Sequence, residues 1–122
     1  MVDSSIIGIL KEILENKINK LKKGSIYVEN VNFQSFNIYF EVENIKYKLN
    51  IELDSGCYIY LEYQDGFTKN GDLLFVTDPI MLNLDFQKEI CKIKKKIKFD
   101  YLLRLKLMVE LVCDKINDKK TN

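Results

Sequence analysis

The chain has no histidine, no tryptophan and no alanine, one proline, and a single arginine, Arg104, against 18 lysines. The missing histidine excludes Ser-His and Cys-His nucleophile pairs and the usual general base at neutral pH. It also removes nearly all zinc and non-haem iron sites. Cysteine is scarce: Cys57, Cys91 and Cys113 are odd in number and widely spaced. That pattern fits free thiols in a reducing cytosol and leaves no thiol-only zinc cluster. Phosphate-cradling glycine loops of the GxxxxGKS or GxGxxG type are missing. No stretch approaches the roughly 20 apolar residues of a spanning helix, and the opening MVDSSIIGILKEI lacks the long apolar run and cleavage site of a signal peptide. These absences lead to the expectation of a cytoplasmic protein with no metal, no cofactor, no membrane association and no enzymatic activity.

The 122 residues are 47% hydrophobic and 30% charged, which suits one globular domain spanning 1–122. Lysine, isoleucine and asparagine are abundant while alanine is missing, a codon skew of AT-rich genomes such as low-GC bacteria and their phages. The net charge of +1 conceals a segregation: residues 1–24 carry +2, residues 25–84 carry −6 and residues 85–122 carry +5. An acidic central region is thus followed by a basic tail.

The central region is FNIYFEVENIKYKLNIELDSGCYIYLEY, residues 36–63. Its apolar residues alternate: Phe36, Ile38, Phe40 and Val42, then Ile45, Tyr47, Leu49, Ile51 and Leu53, then Cys57, Ile59, Leu61 and Tyr63. A period of two marks half-buried strands, and three such runs split by short turns predict an antiparallel meander. With a turn around Asn44 and Ile45, Val42 would face Tyr47. With Asp54-Ser55-Gly56 as the next turn, Leu53 would face Cys57. The outward rows are then Glu41-Lys48-Glu62, Tyr39-Asn50-Tyr60 and Asn37-Glu52-Tyr58.

Ser25 to Val31 and Leu73 to Thr77 read as further strands. Between the latter and the meander, Asp65-Gly66 and Asn70-Gly71 are both turn dipeptides. The acids that an EF-hand loop needs are missing there.

Before the sheet, Ile7, Leu10, Leu14, Ile18 and Leu21 keep helical spacing, with Ser4 or Ser5 as a cap, Asp3 near the positive end and Gly24 as the stop. After it, Phe86, Ile90, Ile93 and Ile97 repeat at helical spacing, and Lys88, Lys92, Lys95 and Lys96 share the opposite side. Asp100 either caps a new helix or lies within a kinked one. Tyr101 to Cys113 is apolar on nearly every side, so it should be buried between the sheet and the other helices or form a homodimer seam. The fold class is therefore α+β: an N-terminal helix, an antiparallel sheet of four or five strands, then two helices or one kinked helix.

Two candidate surfaces follow. Tyr39, Glu41, Asn50, Glu52, Tyr58, Tyr60 and Glu62 form an open sheet face suited to a larger protein with a basic surface, because tyrosine buries much area while keeping a polar tip. The alternative is a nucleic-acid-binding accessory protein, with Lys88, Lys92, Lys95 and Lys96 contacting phosphates. Arginine, which carries most bidentate base reading, is nearly absent. Double-stranded RNA-binding domains also run α-β-β-β-α, but their lysine-rich helix directly follows the third strand, whereas here more strand and loop intervene. The order of helix, antiparallel sheet and two helices resembles some small anti-CRISPR inhibitors. That resemblance of topology implies a phage or mobile-element inhibitor of a host protein and carries over no residues.

Overall fold

In the computed structural model, which describes residues 4–119, the alternating runs form one five-stranded antiparallel sheet in the order β1-β2-β3-β4-β5. The strands are β1 (Tyr27–Asn32), β2 (Ser35–Val42), β3 (Ile45–Glu52), β4 (Tyr58–Phe67) and β5 (Leu73–Thr77). Helix α1 (Ser4–Lys17) precedes them, and α2 (Leu84–Lys96) and α3 (Tyr101–Asp118) follow. The α+β class and element order match the expectation. Asp3 and the last three residues lie outside the described part.

One sheet face is the core. Phe36, Ile38 and Phe40 of β2, Leu49 and Ile51 of β3, and Leu61 of β4 are essentially inaccessible, and each such burial contributes about 1.5–3 kcal/mol. All three helices feed this face: Leu10 and Leu14 from α1, Phe86 and Ile90 from α2, and Leu105, Met108, Val109, Val112 and Ile116 from α3. Helix α3 is the central one, touching α1, α2 and β4. Its burial is one-sided, since Leu103 remains 40% exposed.

The C-terminal region is two helices, and the reason is visible in side chains. Asn83 Oδ1 accepts from the Phe86 amide at 2.9 Å and starts α2. Asp100 Oδ1 accepts from the Leu103 amide at 3.0 Å and starts α3. Both are N-cap bonds. Between the two helices, the buried Arg104 closes the end of α2. Its Nε donates to Ile97 O at 2.8 Å, and its Nη2 donates to Lys94 O at 3.2 Å. Its Nη1 reaches Gly56 O in the β3–β4 connection at 2.6 Å. One planar fork thus satisfies carbonyls of two separate segments, and its positive charge sits at the negative end of the α2 dipole.

Three expectations need correction. Helix α1 stops at Lys17 rather than near Gly24. Asn117 of α3 intercepts it, donating to Lys17 O at 2.8 Å and accepting from the Asn19 amide at 3.0 Å. The following residues instead extend the sheet edge, where Leu21 bridges Val42 and the Lys22 amide donates to Glu41 O at 2.8 Å. Secondly, Val42 faces Ile45, not Tyr47. Glu43 and Asn44 both take positive φ, 49° and 69°, making a tight two-residue turn where a four-residue one was expected. The shift is by two, so every side chain keeps its predicted face while its partners change. The β3–β4 register is as expected, with Lys48 opposite Glu62, Asn50 opposite Tyr60 and Glu52 opposite Tyr58. Thirdly, Asp65-Gly66 is no turn. It lies within β4 at an irregularity of the β4–β5 ladder, and Gly66 takes φ 81° there. The reversal is made at Thr68–Asp72, around Asn70-Gly71.

Among the described residues no helix is long and apolar enough to cross a membrane.

Candidate functional site

The helices leave the other sheet face open, and that face is concave. Tyr39 of β2 and Phe75 of β5 are three strand steps apart, with β3 and β4 between them, yet their ring centroids are 5.7 Å apart. A flat sheet would separate those strands by roughly 14 Å at ~4.8 Å per strand step. The sheet therefore curls, helped by ladder irregularities in both outer hairpins, between Asn30 and Asn32 and between Gln64 and Phe67. The curl makes a groove of about 440 Å³ whose aromatic walls are Tyr27, Tyr39 and Phe75. Tyr27 and Tyr39 rings touch at 5.6 Å.

A polar ladder runs beneath this groove. Asn50 Nδ2 donates to Asn37 Oδ1 at 2.8 Å, and Asn37 Nδ2 donates to Glu29 Oε1 at 3.0 Å. The Tyr39 hydroxyl donates to the same Glu29 oxygen at 2.9 Å. Asn37 is only 4% exposed although it lies on the face opposite the core. Asn37 and Asn50 share a cross-strand row with Glu29 because of the observed β2–β3 register. The register expected from the sequence would have separated them.

The candidate residues divide between two ends of the face. Tyr39 and Glu41 line the groove, with Glu41 held by Lys22 at 3.6 Å. Asn50 belongs to the ladder. Glu62 pairs with Lys48 at 3.6 Å, and both are half-buried. Tyr60 lies farther along β4 with its hydroxyl 2.6 Å from Thr77 Oγ1. Tyr58 is covered on one side by α2, whose Lys94 ammonium lies 4.2 Å from its ring centroid. Glu52 is exposed beside it in the β3–β4 ladder. The tyrosines and acids do look outward together, but as a trough and a separate patch rather than one plane. Glu29, Tyr27 and Phe75 complete the trough. The alternation of Leu73, Phe75 and Thr77 places Phe75 on the tyrosine side, whereas the curl that brings it to Tyr39 has no signature in the sequence.

Of the lysines, Lys88, Lys92 and Lys95 line a shallow hollow on the outer side of α2 with Leu84 and Cys91. Lys96 is exposed in the last turn of the same helix. Lys92 has an ion-pair partner one turn away, Glu89 at 3.6 Å. Among the described residues, no three His, Cys, Asp or Glu side chains are grouped closely enough to hold a metal ion.

Protonation follows this geometry. Burial, reinforced by the bond to Glu29, pushes the Tyr39 phenol from 10.0 up to about 12. The bonds from Asn37 and Tyr39 hold the Glu29 carboxyl below its ordinary 4.5. The Tyr39 contribution to stability is therefore complete below pH 10 and lost as pH rises through about 12. The Glu29 contribution runs the other way, present above pH 4.5 and lost as pH falls through the depressed value. Spectrophotometric titration of the tyrosines tests the pair. Glu29→Ala should bring the latest-titrating phenol to lower pH but not to its ordinary value, because burial is the larger cause. A curve unmoved by that substitution would mean that Glu29 does not hold the phenol.

Comparison with protein-family models, curated proteins and solved structures finds no match for the chain.

Proposed function

We propose that this protein is a small non-catalytic binding module that engages a basic surface of a larger protein through its concave sheet face. The observation that carries this reading is the aromatic groove with the Glu29 carboxylate fixed in its wall, on a face that the helices leave open. Aromatic rings beside a charged carboxylate suit a cationic partner. The acidic balance of residues 25–84 extends that preference over the surrounding surface. A partner whose nucleic-acid groove was occupied in this way would be inhibited, which is the role that the topology suggests for a phage or mobile-element protein.

The second reading is nucleic-acid binding by α2, favoured by the exposure of Lys88, Lys92 and Lys95 on one hollow. Affinity capture with three proteins separates the two. Tyr27→Ala with Tyr60→Ala alters side chains that are 60% and 42% exposed, so folding should survive. This double variant should lose the partner retained by the wild-type chain. A variant with Lys88, Lys92 and Lys95 changed to Glu should keep it. If the lysine variant is the one that loses its partner, and retention falls steeply with salt, the sheet-face reading is wrong and the α2 reading stands.

A further inference from the structure

We infer that the groove between Tyr27, Tyr39 and Phe75 is a receptor for one arginine side chain, whose guanidinium lies against the tyrosine rings and donates to Glu29. This assignment rests on the sheet-face reading above and names the group that would be recognised there.

Three features point to a guanidinium. The first is the orientation of Glu29. Both of its hydrogen bonds, from Asn37 Nδ2 and the Tyr39 hydroxyl, converge on Oε1. Among the described residues Oε2 receives no donor, so a charged acceptor is held in place with one oxygen available. The second is the support beneath it. Asn37 is buried and is itself held by Asn50, so the carboxylate is positioned by a ladder from β3 through β2 to β1. A network of this kind adds nothing to the apolar core on the opposite face, but it does fix the direction of an acceptor. The third is shape. Tyr27 and Tyr39 rings meet at an interplanar angle of 37°, and Tyr27 is 60% exposed. A planar guanidinium can stack on such a ring and donate sideways to a carboxylate at once, whereas a lysine ammonium is a point charge without a stacking plane.

Three lysines, Lys22, Lys23 and Lys46, share the groove lining with Glu29 and Glu41, so the guanidinium is placed at Glu29 and not at the lysine end. Lys22 is tied to Glu41 at 3.6 Å, and Lys46 faces Glu41 across the β2–β3 ladder. Among the described residues neither lysine is ion-paired with Glu29; the Lys48 charge reaches Glu29 only from a distance while its ammonium pairs with Glu62. The chain's own single arginine, Arg104, is 7% exposed and committed to backbone carbonyls. A second copy of this chain therefore cannot supply the guanidinium, so the occupant belongs to a different protein.

The test is an NMR titration of the full chain with N-acetyl-arginine amide, and with its lysine and citrulline counterparts. Arginine amide should give saturable shifts of the Tyr27 and Tyr39 ring signals. The lysine compound should bind about fivefold more weakly, and the neutral citrulline compound should not bind. Glu29→Gln should weaken arginine binding by about tenfold while the rest of the spectrum stays in place, and Tyr27→Ala should weaken it without touching the carboxylate. Equal binding of citrulline and arginine would overturn the assignment. So would indifference to Glu29→Gln, or ring shifts produced by a short single-stranded oligonucleotide in place of arginine. If arginine amide fails but partner capture still depends on Tyr27 and Tyr60, only the guanidinium assignment falls. If capture is also indifferent to those tyrosines, the sheet-face reading falls with it.

Discussion

Replacing Arg104 with methionine is expected to lower the unfolding free energy by about 3 kcal/mol, the scale of losing a buried charged donor and orphaning its acceptors. Arg104 is 7% exposed, and its guanidinium donates to Ile97 O, Lys94 O and Gly56 O. Methionine keeps the volume of the stem and removes every donor. The carbonyls ending α2 and the β3–β4 connection then face a poorly hydrated space. Thermal unfolding should shift downward by roughly 10 °C in a domain of this size. Lysine is the sharper control. It restores the charge, but one ammonium at the end of a flexible stem cannot imitate the fork, so Arg104→Lys should recover less than half of the loss. Urea denaturation of the three proteins measures this. A lysine variant as stable as the wild type would mean that charge at the α2 terminus, not the bridging of two segments, is what matters.

The second large effect is expected at Phe86. This ring is fully buried, belongs to the first turn of α2 and joins the common core. Phe86→Ala should cost about 3–5 kcal/mol, combining lost transfer energy with a cavity that the sheet cannot collapse to fill. On the other side of the same helix, Lys92→Ala should stay within about 0.5 kcal/mol, since its ion pair with Glu89 is solvated. The ratio of the two effects reads directly how far α2 is anchored by its apolar stripe. If Phe86→Ala cost less than about 1 kcal/mol, the helix would not be held by that stripe.

Much of this architecture is legible from side-chain periodicity alone. Alternation at Phe36 to Tyr63 identifies three strands and the buried face, because each strand must hide the same side of its pleat. Asp100, a candidate helix start, is used as the cap of α3. What escaped detection depends on partners distant in the chain. Nothing local stops α1 at Lys17; the side chain that stops it is Asn117. Asn44 marks a turn, but Glu43 gives no sign of the positive φ that makes it a two-residue one, and the two-residue displacement of β2 against β3 follows. That displacement decides the site, because it sets Asn37 beside Asn50 and so places Glu29 under control. Tyr39, Glu41 and Asn50 were identifiable from alternation. Phe75 as a neighbour of Tyr39 was not, because sheet curvature is a property of the assembled ladder.

The nearest-neighbour strand order carries a kinetic meaning. Each strand finds its partner across a short connection, so pairing within the sheet costs little chain entropy and can begin early. The clasp between Asn19 and Asn117 spans 98 positions and closes nearly the whole polypeptide into a ring. Helix α1 is thus the last segment with reason to dock and the first free to leave, and its amides should exchange with deuterium before those of β3. Breathing of the molecule would then start at its amino-terminal helix, while the concave ribbon keeps its shape.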